Sequence, residues 1–204
     1  MSENKYAVRQ DSISLTLTLL AGAVFLYAFT WGEEFQNLTG FLIILLSFGL
    51  VMNVAFLGKV PRDERVDEKE TGTILLYSVL ALGAITVGNY IVPAFLPSIL
   101  LQAYEKLNII DARLFGILIA VSEEQFFRGF LAPYMANRFG LTLGIILQGV
   151  LFGAYHLAVY NASNQALAIV SLSGIILGFV ALKTQRLSPC IIAHALVNAI
   201  SIGG

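Results

Sequence analysis

Two adjacent glutamates, Glu123 and Glu124, and an arginine one helical turn on, Arg128, lie inside an apolar stretch, VSEEQFFRGF at 121–130. Of the 13 acidic residues these are the only two within an apolar segment long enough to cross a bilayer, and both histidines, His156 and His194, also fall in such segments. An ionisable side chain at the bilayer centre costs on the order of 3 kcal/mol even on a lenient insertion scale. Residues that costly call for a structural partner or a chemical task.

A purely structural role fits part of the set. Glu124 and Arg128 are spaced to form an intrahelical ion pair, but Glu123 then has no local partner. Phe152 and His156, in FGAYH, share one helical face, as do His194 and Asn198 in HALVN. Each is readable as packing or interhelical hydrogen bonding. Their depths argue for more. Counting about 1.5 Å per residue from the cytoplasmic end of each span puts Glu123 at roughly 15 Å, His156 at roughly 22 Å, His194 at roughly 11 Å and Asn198 at roughly 17 Å. Three tilted helices could bring the four around one cavity. Burial and a neighbouring imidazole equip a carboxylate to handle a proton. A Glu/His pair can orient a water and take its proton as it attacks a carbonyl, while His and Asn can donate to the oxyanion. Ser122, beside Glu123, lacks a clear pairing with a base and is set aside as a nucleophile.

The elements that must position these groups are membrane helices. The chain has 204 residues, 57% hydrophobic and 12% charged, with mean hydropathy +0.80. Soluble domains carry about 45–50% apolar and about 25% charged residues, so the expected fold class is all-α, a polytopic membrane protein. A net charge of −1 gives no argument for nucleic acid, and one cysteine, Cys190, excludes an internal disulfide framework or a Cys-rich zinc site.

A span takes about 20 apolar residues, and about seven transmembrane helices are expected. They run over 12–31, 38–57, 73–92, 112–135, 141–160, 165–182 and 187–202; the last, short and carrying Pro189, is the weakest crossing. The first is read as a helix and not a signal peptide. The segment KVPRDERVDEKE reads as a solvated loop, Pro93 and Pro97 end the third span, and 98–111 reads as an interfacial amphipathic helix. Gly140/Gly144, Gly149/Gly153 and Gly174/Gly178 are small-residue pairs that let helices approach closely. They suggest a tight C-terminal bundle. The expected division is therefore 1–111, an N-terminal three-span region with the interfacial segment, and 112–204, a four-helix catalytic core. With the N-terminus cytoplasmic, Lys5, Arg9, Lys59, Arg62, Arg65, Lys69, Arg138, Lys183 and Arg186 fall inside and only Lys106 and Arg113 outside. That bias follows the positive-inside rule and puts the C-terminus outside.

The three blocks, Glu123-Glu124-x-x-x-Arg128, Phe152-x-x-x-His156 and His194-x-x-x-Asn198, together resemble the type II CAAX prenyl endopeptidase and bacteriocin-processing (CPBP, or Abi) family of intramembrane proteases. The resemblance covers roughly 112–202. It implies a conical helical bundle open to the cytosol that hydrolyses a peptide bond of a membrane-anchored or lipidated substrate. Carried over by position, Glu123 and His156 activate the water, His194 and Asn198 form the oxyanion hole, and Glu124 and Arg128 support the site. CAAX cleavage itself does not follow, since many prokaryotic members have other substrates.

No cofactor is expected. The alternative is zinc held by Glu123, His156 and His194; it is disfavoured because no histidine pair has H-E-x-x-H spacing and the two lie on different helices. Two competing functions stand beside the protease. One is a proton-coupled transporter using the same acids and histidines as a relay, which vesicle flux would reveal. It is opposed by small size and lack of inverted repeats. The other is a catalytically idle scaffold or immunity protein, opposed by the intact blocks. The expected setting is the cell membrane, the expected partners the bilayer and a membrane-associated protein or peptide.

Overall fold

The computed structural model describes residues 5–30, 33–57, 68–91, 109–157 and 164–201. Among them the regular elements are helical: α1 (Ser12–Ala28), α2 (Glu33–Leu57), α3 (Glu68–Ile91), α4 (Ile109–Glu124), a π-helical segment (Gln125–Leu131), α5 (Ala132–Phe139), α6 (Leu141–Tyr155), α7 (Asn164–Thr184) and α8 (Ser188–Ser201). A single bridge, Arg9 to Arg186, is their one β-pairing. Each expected span corresponds to a helix, with shifted ends. The fifth stops at Tyr155 instead of 160, because the His156 and Leu157 amides turn back to the carbonyls of Gly153 and Ala154. Residues 59–67 of the charged loop, Trp31, the proline stop and the interfacial segment up to 108 lie outside the described residues; Glu68–Glu70, expected in that loop, open α3, and Ile109–Asp111 open α4.

Among the described residues, length and composition alone qualify three helical stretches to cross a membrane, Gln36–Ala55, Thr71–Gly88 and Asn164–Thr184, with α1, α6 and α8 as shorter apolar helices. The side-chain distribution is that of a membrane protein. Leu19, Leu26, Ile44, Val51, Val79 and Leu80 point outward, while Thr18, Asn53, Ser78, Gln125, Arg128 and Gln148 are buried. With apolar chains outside, the interior must satisfy its polar groups internally.

The two ends of the chain meet through such groups. Asp11 caps α1, its Oδ1 accepting from the Ser14 amide at 2.9 Å. Its Oδ2 accepts from the Ser188 amide at 3.4 Å, at the start of α8. The Arg9 amide donates to Gln185 O and the Leu187 amide to Arg9 O. The N-terminal segment is thereby stitched to the α7–α8 turn, and α1 and α8 start at the same end of the bundle. Lys5, Arg9, Lys183 and Arg186 gather at that end.

The glycine pairs resolve into two kinds. Gly144, Gly149, Gly153 and Gly174 are contact points: a Cβ on Gly174 would come 2.9 Å from Gly149 Cα, and one on Gly144 would come 2.5 Å from Ala136 Cα. A Cβ on Gly140 would meet nothing within 4 Å among the described residues. Gly140 is the turn between α5 and α6, at φ 85°, where an L side chain would be strained.

Candidate active site

The site is built on a rod that runs from Ile109 to Phe139 and changes pitch midway. Pro133 causes the change. It has no N–H to give the Gly129 carbonyl four residues back, and the Ala132 amide donates instead to Phe127 O, five residues back. Helix α2 completes the wider turn. Asn53 Nδ2 donates to the freed Gly129 carbonyl and, at 3.3 Å, to Val8 O. Gly49, one turn earlier, lets the backbone of Gln125 and Phe126 lie directly on α2, where a Cβ would sit 2.6 Å from the Phe126 nitrogen. From the other side Gln125, fully buried, donates to Thr18 Oγ1 and exchanges hydrogen bonds with the Gln10 amide. The N-terminal spans therefore grip the helix that carries the carboxylates.

Glu123 and Glu124 are the last residues of α4, and neighbours on a helix point about 100° apart. They face different partners. Glu124 Oε1 accepts from Arg128 Nη1 at 2.8 Å and lies 2.7 Å from His194 Nδ1. Arg128 is fully buried, its guanidinium 4.1 Å from the centre of the Phe152 ring; such a buried charge persists only when paired, hydrogen-bonded or stacked. Glu123 turns toward both imidazoles: His156 Nε2 is 3.6 Å from its Oε1 and His194 Nε2 is 3.7 Å from its Oε2.

Both rings are held from behind. His156 Nδ1 lies 2.8 Å from Phe152 O, a group that only accepts, so Nδ1 carries the proton. In the neutral ring the Nε2 facing Glu123 is then a lone pair. His194 Nδ1 is likewise engaged by Glu124. Phe152 stands edge-to-face against both imidazoles, at 4.6 Å from His156 and 5.8 Å from His194. Tyr155 flanks His156 at 4.8 Å and directs its hydroxyl at the Glu123 carboxylate. The result is a nearly dry cluster, with Glu123 3% and His194 8% exposed.

Asn198 sits one turn beyond His194 and donates from Nδ2 to Gly116 O on α4 at 2.9 Å. That bond ties α8 to α4 and leaves the amide a second N–H. Ser122 is buried and donates back within its own helix, to Leu118 O at 3.4 Å. So five of the six sequence-expected residues, Glu123, Glu124, Arg128, His156 and His194, form one contact chain, with Asn198 alongside.

Sequence reasoning missed the second task of Glu124 as a partner of His194, and it missed Tyr155, Asn53, Gln125 and Gln148. Pro133, four residues after Gly129, was the readable sign that the carboxylate-bearing helix needs an outside donor. Nothing in the sequence announces Asn53, since its meaning comes from the helix it touches.

Glu123, His156 and His194 are the donors that a zinc ion would need. Among the described residues no group of three His, Cys, Asp or Glu side chains is arranged to hold a metal ion. No step is derived through a metal.

Residues 105–200 match the family model described as type II CAAX prenyl endopeptidase Rce1-like. The match spans all three blocks and agrees with the resemblance read from them. No curated protein and no solved structure matched the chain.

Proposed function

We propose that the protein is an intramembrane endopeptidase that hydrolyses a peptide bond of a membrane-associated substrate with a water activated by Glu123 and His156. The observation that carries this reading is the aim of two imidazole Nε2 atoms at one buried carboxylate, at 3.6 and 3.7 Å. Those separations exceed a direct hydrogen bond, and an oxygen about 2.8 Å from Glu123 and from either ring satisfies both. The ionised carboxylate and the His156 lone pair are both acceptors. A water, with two protons to give, is the molecule such a pair holds.

In the proposed reaction the water oxygen attacks the scissile carbonyl carbon as one water proton passes to Glu123. The new oxyanion takes hydrogen bonds from His194 Nε2–H and from the second N–H of Asn198. For that role His194 carries both ring protons, with Nδ1–H on Glu124. The charges then balance: Arg128 and His194 against Glu123 and Glu124 before attack, and against Glu124 and the oxyanion after it. The buried cluster takes the reaction without gaining net charge, which matters where desolvation is expensive. The proton held by Glu123 goes to the departing amine as the C–N bond breaks, leaving a carboxylic acid and an amine.

No cofactor is proposed. Seven crossings are proposed, with the N-terminus cytoplasmic; the joining of Arg9 to Gln185 and Leu187 supports this by collecting Lys5, Arg9, Lys183 and Arg186 at one end. The four C-terminal spans are proposed as the catalytic core, and a lipidated, CAAX-type peptide is the proposed substrate class.

The test is cleavage of membrane-anchored peptides, prenylated and unprenylated, by the purified full chain, read by mass spectrometry with and without a chelator. Cleavage that survives the chelator and is lost in His156→Ala supports the reading. Inhibition by chelator, restored by zinc, sinks its metal-free part. Absence of any cleavage alongside proton flux in sealed vesicles would favour the transporter.

A further inference from the structure

Gln148, on α6, lies outside the three sequence blocks and has no part in the steps above. It is fully buried, and its Nε2 donates to Gly174 O at 2.7 Å and to Ile145 O at 3.1 Å. Gly174 O is also the acceptor that Arg128 Nη2 approaches, at 3.4 Å. One helix carbonyl therefore lies between two donors from two different helices.

The glycines of α7 make this meeting possible. Gly174 brings α7 onto Gly149, which bares its carbonyl. Gly178, one turn on, leaves the space that the Gln148 amide occupies; a Cβ there would overlap that amide. The Gly174/Gly178 pair is thus more than close packing, since it presents one oxygen and seats the group that caps it.

We propose that Gln148 is a positioning residue for the reaction, acting through Arg128 and Glu124 on His194. By occupying Gly174 O at short range, the amide keeps Arg128 from taking that oxygen fully. The guanidinium is left where its Nη1 holds Glu124 Oε1 at 2.8 Å. Glu124 Oε1 in turn holds His194 Nδ1 at 2.7 Å, which sets the direction of Nε2. Without the amide, the carbonyl draws Arg128 away from Glu124 and the imidazole loses its registration. Among the described residues, three buried polar atoms along this chain, Gln148 Oε1, Arg128 Nε and Glu124 Oε2, have no hydrogen-bond partner. Few bonds define the arrangement, so the loss of one is felt along it.

The proposal rests on the protease reading, and two measurements keep the failures apart. Gln148→Met keeps the volume and removes the donor. Gly178→Ala leaves the glutamine in place and displaces its amide. The chain has 2 histidines, so ¹⁵N-histidine NMR of the full chain in micelles reports each ring separately. Both variants are expected to shift the Nδ1–H resonance of His194 and leave that of His156 in place. In the cleavage assay kcat should fall about 10-fold with KM unchanged, as for other residues that orient a reacting group from behind. An unmoved His194 resonance in a folded variant overturns the relay whether or not the wild type cleaves. So does a rise in KM at constant kcat. If wild type and Glu123→Gln are equally inactive, the protease reading fails and the resonance alone decides the relay.

Discussion

His194 is held between two carboxylates, its Nδ1 2.7 Å from Glu124 Oε1 and its Nε2 3.7 Å from Glu123 Oε2. The nearer acid orients the ring, and the farther one shares with it the place where the reaction is proposed to occur. Glu124→Gln keeps an acceptor for Nδ1–H and removes the charge. It is expected to lower kcat by about 10–100-fold, the range known for losing the carboxylate behind a metal-bound imidazole, with little change in KM. Steady-state kinetics on an anchored peptide check this; an unchanged kcat would remove Glu124 from the mechanism.

Arg128 and Glu124 are both fully buried and 2.8 Å apart. Losing one member of such a buried pair costs about 3–5 kcal/mol, and after loss of Arg128 the His194 ring at 2.7 Å is the partner left to Glu124. Arg128→Met should therefore lower the unfolding midpoint in detergent far more than the double change Arg128→Met with Glu124→Gln. A double variant whose loss is the sum of the two single losses would mean that the two residues stabilise the bundle independently.

Asn53 replaces the donor that Pro133 cannot supply to Gly129 O. Asn53→Ala leaves that carbonyl unsatisfied and should cost about 1–3 kcal/mol. Adding Pro133→Ala, which returns an N–H to the rod, should recover part of the loss. Differential scanning of the single and double variants measures it, and a double variant less stable than Asn53→Ala would contradict this origin of the π-helical segment.

Much of the site was legible because its residues are expensive where they stand. Glu123, Arg128, His156 and His194 announce themselves as charges and imidazoles in an apolar chain, and periodicity placed each on its span. The pairing of Glu124 with Arg128 followed from spacing alone. The Glu124–His194 contact did not, because it depends on how α8 rotates against α4. Gln148 and Asn53 were invisible for a related reason: one amide in a membrane helix is ordinary until its carbonyl partner on another helix is known. Gly140 was misread as packing, since a glycine at a turn and a glycine at an interface look alike in sequence.

The N-terminal segment and the α7–α8 turn share one end of the bundle, joined at Arg9 and Leu187. Single cysteines placed at Lys5 and at Gln185 should therefore label from the same side of the membrane, the cytoplasmic one. Native Cys190 is fully buried and should not interfere. Labelling of the two sites from opposite sides would contradict the fold, and labelling of both from outside would reverse the proposed orientation.

The most direct test of the account is the kcat of Glu123→Gln against wild type, in chelator, on a membrane-anchored peptide that the wild type cleaves. The substitution keeps the size of the side chain and removes its capacity to take a proton. The account predicts a loss of about 10²–10⁴-fold in kcat with the peptide still bound. A variant that cleaves within a few-fold of wild type would contradict it.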